Sequence, residues 1–111
     1  MVKLDLTNNK IKEALNLLTP LFESDISIDE VILFGSQVRG ESNEESDIDL
    51  AVIHNSNDLK FWKLTREVYK KFNVDFVYTN YERIKKANRQ LDVNYWIREE
   101  GVSVWKRQQN I

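Results

Sequence analysis

Short, uninterrupted apolar runs at residues 31–34 and 50–53 restrict the folds open to this chain. A continuous apolar run of this length is typical of a strand that is buried on both faces of a sheet. Strands are therefore predicted at residues 30–34 and 47–53, and a third apolar stretch, VDFVY, predicts another at residues 74–78. Strands buried on both faces need helices packed against them, which indicates a layered fold.

Helical periodicity flanks these strands. Apolar residues recur at spacings of three and four over residues 8–24, which predicts an amphipathic helix that Pro20 kinks or ends early. A second helix is predicted to end near residue 72, and one or two more over residues 81–99, closed by a glycine at the C-cap. A last, short strand is predicted at residues 102–105.

The order of these elements predicts an α/β (α+β) fold with a mixed sheet of about four strands and helices packed on it. The chain has 111 residues, which suits one compact domain with a single core. Hydrophobic residues make up 41% and charged residues 31%, the proportions of a folded soluble protein. No linker or repeat interrupts the pattern, so we predict one domain over residues 1–111.

Composition argues against several classes of protein. The chain has no cysteine and a single histidine, His54, so disulfides are excluded and a zinc site is not expected. The formal net charge is −2, which argues against nucleic acid as a partner. The N-terminus has no apolar signal segment, and no apolar run is long enough to span a bilayer. We therefore expect a cytoplasmic location and no membrane partner.

Asp47 and Asp49 occupy alternate positions of the second predicted strand. Alternate strand residues point to the same face, which puts their Cα atoms about 6–7 Å apart and both carboxylates within reach of one cation. Two anions on an otherwise apolar strand are unfavourable unless a positive charge neutralises them. Carboxylate oxygens suit Mg²⁺ or Mn²⁺, which accept phosphate oxygens as further ligands, so the pair predicts a metal site for phosphate chemistry.

The Gly35-Ser36 pair stands where the first of these strands ends. The N–H groups at the start of a helical turn bind anions, glycine lets the backbone approach a phosphate closely, and the Ser36 hydroxyl adds a donor. Arg39, one turn later, would supply a charge-assisted contact to a triphosphate. Asp75 lies in the third apolar strand, where an acid has no evident structural purpose. We predict that Asp75 joins Asp47 and Asp49 as a ligand of two Mg²⁺ ions.

Each of these features also has an ordinary structural explanation when it stands alone. Gly-Ser pairs are common at strand-to-turn junctions, and Asp-x-Asp occurs on exposed strands. Asp75 could cap a turn or pair with a lysine, and Arg39 could be a solvent-exposed side chain without a function. The combination, in this order and bracketed by apolar strands, favours a metal and phosphate site over coincidence.

These residues resemble the signature of the DNA polymerase beta-like nucleotidyltransferase superfamily, which has Gly-Ser after one strand, Asp-x-Asp on the next and a third acid on a later strand. Gly35-Ser36, Asp47-x-Asp49 and Asp75 match it, with the likeness strongest over residues 31–53. The form GSQVRG…SDIDL is similar to the minimal nucleotidyltransferase branch, whose members are little more than the catalytic domain.

The resemblance implies magnesium-dependent transfer of a nucleoside monophosphate from a nucleoside triphosphate to a hydroxyl, with release of pyrophosphate. Many minimal members resemble the antitoxin of a toxin–antitoxin pair whose partner is a helical HEPN-type ribonuclease. The implied reaction adds AMP from ATP to a tyrosine of that toxin. Larger relatives carry a further substrate-binding domain, for which this chain has no room, so we expect a partner chain or a second copy to hold the acceptor.

Two other functions remain open from the sequence. One is an antitoxin without catalytic activity, which inhibits its partner by occlusion. The other is a transferase that acts on a small molecule, such as an aminoglycoside, or on an RNA end, although the low basic charge argues against RNA.

The aromatic side chains allow a further hypothesis. Trp62, Trp96 and Trp105 are expected in or near the core. Trp62 and Tyr69 lie on one side of the predicted helix before residue 72, and this stripe is interpreted as part of a partner or homo-oligomer surface. His54 is expected to be a loop residue, with a nucleotide contact as the alternative.

Overall fold

The computed structural model describes residues 9–40, 47–56 and 71–108. Within these ranges the helices and strands follow one another along the chain as α1 (Asn9–Ser24), β1 (Ile28–Phe34), α2 (Ser36–Arg39), β2 (Ile48–His54), β3 (Val74–Thr79), α3 (Tyr81–Lys86), α4 (Val93–Glu100) and β4 (Val102–Lys106). No helix among these residues is long and apolar enough to cross a membrane.

Some sequence predictions fall outside the described residues. They concern the acidic loop at residues 41–46, most of the helix expected before residue 72, and the stripe formed by Trp62 and Tyr69. The assignment of residues 1–111 to one domain and the proposed homo-oligomer surface therefore stay predictions.

The strands form one mixed sheet in the order β3-β2-β1-β4, which confirms the predicted fold class. β1 pairs antiparallel with both β2 and β4, whereas β2 and β3 are parallel. As a result, β1 ends at the same edge of the sheet at which β2 and β3 begin. This edge brings together Gly35, Asp47 and Asp75, which are far apart in the sequence.

Helices cover the sheet on both faces. α1 contributes Ile11, Ala14, Leu18 and Phe22, at helical spacing, to a core that includes Leu33 and other alternate strand residues. Residues that point the other way pack with α3 and α4 in a second cluster, which consists of Phe34, Ala51, Ile53, Ile84 and Ile97. Asp49 precedes Ala51 and Ile53 by two and four positions, so it lies on the α3 and α4 side.

The structure differs from the sequence predictions at several ends of elements. Pro20 does not end the first helix, which continues to Ser24. Pro20 is exposed, so the carbonyl that its ring deprives of a hydrogen bond can be solvated. The region at residues 81–99 forms two helices, because Asp92 caps the start of α4 by accepting a hydrogen bond from the Asn94 N–H at 2.9 Å. β1 also begins two residues earlier than predicted, at Ile28.

Gly101 caps α4, as predicted, but for a different reason. Its φ of −66° and ψ of 146° are open to any residue, so no left-handed conformation is involved. A Cβ at this position would lie less than 3.0 Å from the Ile97 carbonyl oxygen and from Ile32 Cγ2. Glycine therefore allows the end of α4 to pack directly on β1.

We predict that Gly101→Ala lowers the free energy of unfolding by about 1–3 kcal/mol, because the methyl group has no space between α4 and β1. Urea denaturation followed by circular dichroism measures the change. Gly40→Asn is the matched control: Gly40 has a φ of 73°, a Cβ there would have no heavy atom within 4 Å, and asparagine tolerates this conformation. An equal decrease in the free energy of unfolding in the two variants would contradict the explanation by steric crowding.

Candidate active site

One row of residues crosses three strands at the edge of the sheet. Phe34 of β1 pairs with Asp49 of β2, and Asp49 pairs with Asp75 of β3. Paired residues in a sheet point to the same face, so both carboxyl groups face the side that α3 and α4 cover. The predicted convergence of Asp49 and Asp75 is therefore present in the structure.

Gly35 follows Phe34 and turns the chain into α2. Its φ of 82° and ψ of −152° lie where residues with a side chain are strained. A Cβ on Gly35 would also lie less than 3.0 Å from Asp49 Oδ2. The Gly35 carbonyl accepts hydrogen bonds from the N–H groups of Val38, at 3.1 Å, and Arg39, at 3.2 Å, which closes the short helix α2. Glycine is thus required both by the backbone conformation and by the nearby carboxylate.

Asp47 lies immediately before β2, not within the strand as predicted. Its exposed side chain still reaches the same place, because the carboxyl groups of Asp47 and Asp75 share a hydrogen bond. The negative charges of both also act on Asp49. The three predicted acids therefore converge beside the Gly35 turn.

Burial and like charge raise the pKa of the central acid. Burial raises the pKa of Asp49 most, and the charges of Asp75 and Asp47 add to it, while Arg39 acts in the opposite direction; the result is a pKa of about 6. Burial, followed by the hydrogen bond to Asp47 and its charge, also raises the pKa of Asp75. A cation bound beside Asp49 and Asp75 would offset these effects and stabilise their charged forms.

Glu100, at the end of α4, belongs to the same site and was missed by the sequence analysis. Its Oε1 accepts hydrogen bonds from the Gly35 N–H at 3.1 Å and from Arg39 Nη1 at 2.7 Å. Only 14% of the Glu100 side chain is exposed, against 43% for Arg39. An acid in the last turn of a helix opposes the helix dipole, but Glu99 does so as well, so the sequence does not single out Glu100.

A cleft of about 830 Å³ opens at this edge of the sheet. Its lining includes two of the three aspartates and an apolar wall, but not Asp47. The lining residues are Phe34, Gly35, Arg39, Asp49, Asp75, Phe76, Val77, Val93, Trp96 and Glu100. The expectation that Trp96 is a core residue is wrong, since 38% of it is exposed and it lies at the cleft. Trp105, in contrast, packs near the core against Phe22, with ring centroids 5.6 Å apart.

Two other predicted residues, Ser36 and His54, do not line the cleft. Ser36 begins α2 next to Gly35 but does not line the cleft. His54 ends β2 at the opposite end of the strand from Asp49, with its Nδ1 3.0 Å from the Ser56 carbonyl oxygen. It faces a separate cavity of about 410 Å³ that includes Asp29 and Tyr81. The expectation that His54 is a loop residue is wrong, since it is the last residue of β2.

The acids fit a hard divalent cation by their chemistry. Three carboxyl groups and no competing His or Cys ligand suit Mg²⁺ or Mn²⁺. No group of three His, Cys, Asp or Glu side chains in the described ranges is arranged to hold a metal as it stands. Asp47 and Asp75 instead share a hydrogen bond. Their role as ligands therefore stays a prediction.

The raised pKa of Asp49 affects the free energy of unfolding of the metal-free protein, which is measured in the presence of EDTA. A native pKa of about 6 against 3.8 for the free side chain means that the folded state disfavours the charged form. The penalty is absent below pH 3.8, grows as the pH rises and is complete above pH 6. We predict that Asp49→Asn stabilises the metal-free protein at pH 7 by about 1–2 kcal/mol, allowing for solvent screening, and has little effect at pH 4.

Urea denaturation of both proteins at the two pH values measures this difference. Glu82→Gln serves as the control, because it breaks only an exposed ion pair with Lys86, at 2.7 Å, and should change stability equally little at either pH. If Asp49→Asn were less stable than the unsubstituted protein at pH 7, the electrostatic explanation would be wrong.

The family model described as polymerase beta, nucleotidyltransferase matches residues 16–110. Among solved structures, a Sulfolobus solfataricus protein described as a nucleotidyltransferase is 22% identical with a TM-score of 0.59, and the match covers 89% of this chain and 82% of that one. A chain from a toxin–antitoxin structure with AMP-PNP is 23% identical with a TM-score of 0.53, covering 93% of this chain and 76% of that one.

A chain from the toxin–antitoxin structure MntA-HepT is 19% identical with a TM-score of 0.50, and the match covers 86% of this chain and 73% of that one. A comparison with curated proteins gives no match. At these identities, the structural likeness establishes a shared fold, while the family model covers most of the chain. The chain therefore belongs to the polymerase beta nucleotidyltransferase family, as the arrangement of Gly35, Asp49 and Asp75 predicts.

Proposed function

We propose that this chain transfers AMP from ATP to a hydroxyl in a Mg²⁺-dependent reaction, and that the acceptor is a tyrosine of a HEPN-type toxin, so that the chain acts as an antitoxin. The observation that carries the proposal is the convergence of Asp47, Asp49 and Asp75 beside the Gly35 turn. Nucleotide transfer needs both parts: anionic ligands for cations and a backbone turn that a triphosphate can approach.

The triphosphate is bound by the turn and by Arg39. Gly35 has no side chain to block the approach of a phosphate to the backbone, and Ser36 opens the first turn of α2 beside it. Arg39 supplies positive charge at the cleft, where Glu100 fixes one end of its guanidinium by the 2.7 Å contact. We assign phosphate binding to this guanidinium because 43% of the Arg39 side chain is exposed and it lines the cleft.

Asp47, Asp49 and Asp75 would hold two Mg²⁺ ions, with Mn²⁺ as the alternative. When bound, such ions neutralise phosphate charge and lower the pKa of an attacking hydroxyl. In the transfer, the acceptor oxygen forms a bond to the α-phosphorus, the bond from that phosphorus to the bridging oxygen breaks, and pyrophosphate leaves. Asp75 is the exposed member of the strand pair and lies nearest the acceptor, so its carboxylate receives the hydroxyl proton first.

The assignment of a toxin as acceptor has two kinds of support. The fold is shared with chains of toxin–antitoxin structures, one of which is described with AMP-PNP. The acids also lie at an accessible edge, because Asp47 and Asp75 are exposed. A hydroxyl on a folded partner protein can therefore reach them. On this proposal the reaction takes place in the cytoplasm, with ATP as donor and the toxin as the second chain.

The test uses ATP labelled at the α-phosphorus, Mg²⁺ and a HEPN-type toxin as the acceptor. Label is expected on a toxin tyrosine, and Asp47→Asn or Asp49→Asn should reduce its transfer at least about 100-fold, since a metal ligand contributes several kcal/mol in such reactions. EDTA should abolish transfer. Asp29→Asn is the matched control: Asp29 lies near the start of β1, away from the acids, and accepts a hydrogen bond from Asn55 at 2.8 Å.

Other outcomes separate the alternative functions. Full inhibition of the toxin by Asp47→Asn and Asp49→Asn without transfer of label would indicate an antitoxin that acts by occlusion. Label on an aminoglycoside, with none on the toxin, would indicate a small-molecule acceptor. Transfer that persists in both variants would refute the assignment of these acids.

A further inference from the structure

Trp96 and other residues on one face of α4 line the cleft along its length. Val93, Trp96 and Glu100 stand at positions i, i+3 and i+7 of the helix, so they share one face, and all three line the cleft. From Trp96 to Glu100 the helix rises about 6 Å. α4 therefore presents an aromatic ring roughly one helical turn away from the acid that binds Gly35 and Arg39.

The two ends of the cleft differ in character. At the Glu100 end lie the Gly35 turn, Arg39 and Asp49, with Asp75 paired beside Asp49. At the other end the lining is apolar and consists of Phe76, Val77, Val93 and Trp96. With Mg²⁺ on the acids, as the proposed function requires, a ligand that fits both ends carries anionic groups at one end and a flat, weakly polar group at the other. The spacer between them is about one helical turn long.

The ring of Trp96 is held in position. Its Nε1 donates a hydrogen bond to the Gln90 carbonyl at 2.7 Å, and its ring meets that of Tyr95 edge to face, with centroids 5.2 Å apart and an interplanar angle of 85°. Even so, 38% of the residue is exposed. Because the N–H is already satisfied, the ring offers a ligand only its face. A fixed and accessible aromatic face is suited to stacking.

We propose that Trp96 is the stacking platform for the base of the bound nucleoside triphosphate, with its phosphates at the Gly35 and Arg39 end of the cleft. This inference rests on the proposed function, since it takes a nucleotide as the ligand. Every base has a face that can stack, so the platform itself adds affinity and little discrimination between bases. The alternative occupant of this end is an aromatic side chain of the acceptor protein.

Two ligands distinguish the contribution of the base to binding from that of the phosphates. Calorimetry with Mg²⁺ measures the Kd of α,β-methylene-ATP, which cannot transfer AMP, and of inorganic tripolyphosphate. Trp96→Ala should weaken the nucleotide about 5- to 100-fold and leave tripolyphosphate unchanged. Trp96→Phe should keep most of the nucleotide affinity, because it retains a ring but loses the hydrogen bond to Gln90. Leu91→Ala is the control, since Leu91 is 99% exposed and does not line the cleft.

Each contrary result has a distinct meaning. Unchanged nucleotide binding in Trp96→Ala would overturn the proposal that Trp96 stacks on the base, but would leave the proposed function intact. If the same variant had a raised KM for the toxin, the ring would be assigned to the acceptor instead. Equal loss of both ligands would show that Trp96 only supports the cleft. If the unsubstituted protein binds neither ligand, both the platform and the proposed function are wrong. Thermal unfolding confirms that each variant is folded.

Discussion

Phe34, Asp49 and Asp75 form one row across three neighbouring strands, and the position of every other group in the site follows from that row. The strand pairing fixes the two acids side by side on the face that α3 and α4 cover. Because β1 runs antiparallel to β2, the residue after Phe34 is a turn that must pass beside Asp49. Only glycine leaves room there. The next pairing in the sheet, between Leu33 and Val102, brings the end of α4 to the same edge.

This arrangement brings several acidic side chains close together. Burial raises the pKa of Asp49 most, and the neighbouring charges of Asp75, Asp47 and Glu100 raise it further, to about 6, while Arg39 acts in the opposite direction. Such a cluster lowers the stability of the folded chain, and sites with this cost are commonly retained because binding a cation or a substrate relieves it. The ion pair between Arg39 and Glu100 offsets part of this cost, and both side chains line the cleft.

Local sequence patterns predicted the parts of the fold that depend on neighbouring residues. The continuous apolar runs correctly indicated β1, β2 and β3, and the Gly-Ser and Asp-x-Asp spacing indicated the turn and the acids beside it. Asp75 needed the additional assumption that β3 lies next to β2. Glu100 and Trp96 could not be found in this way, because the contact between Gly35 and Glu100 joins residues 65 positions apart. That contact depends on the packing of α4 on β1, which Gly101 permits.

The accessibility of the acid cluster affects the selectivity of a transferase of this kind. Asp75 stands on β3, an outer strand of the sheet, and Asp47 is exposed beside it. A bulky substrate can approach from this side without a closing movement of the chain. On the proposed function, the exposure of Asp47 and Asp75 also admits water to the donor nucleotide. Discrimination between water and the intended nucleophile must then come from the affinity with which the second substrate docks.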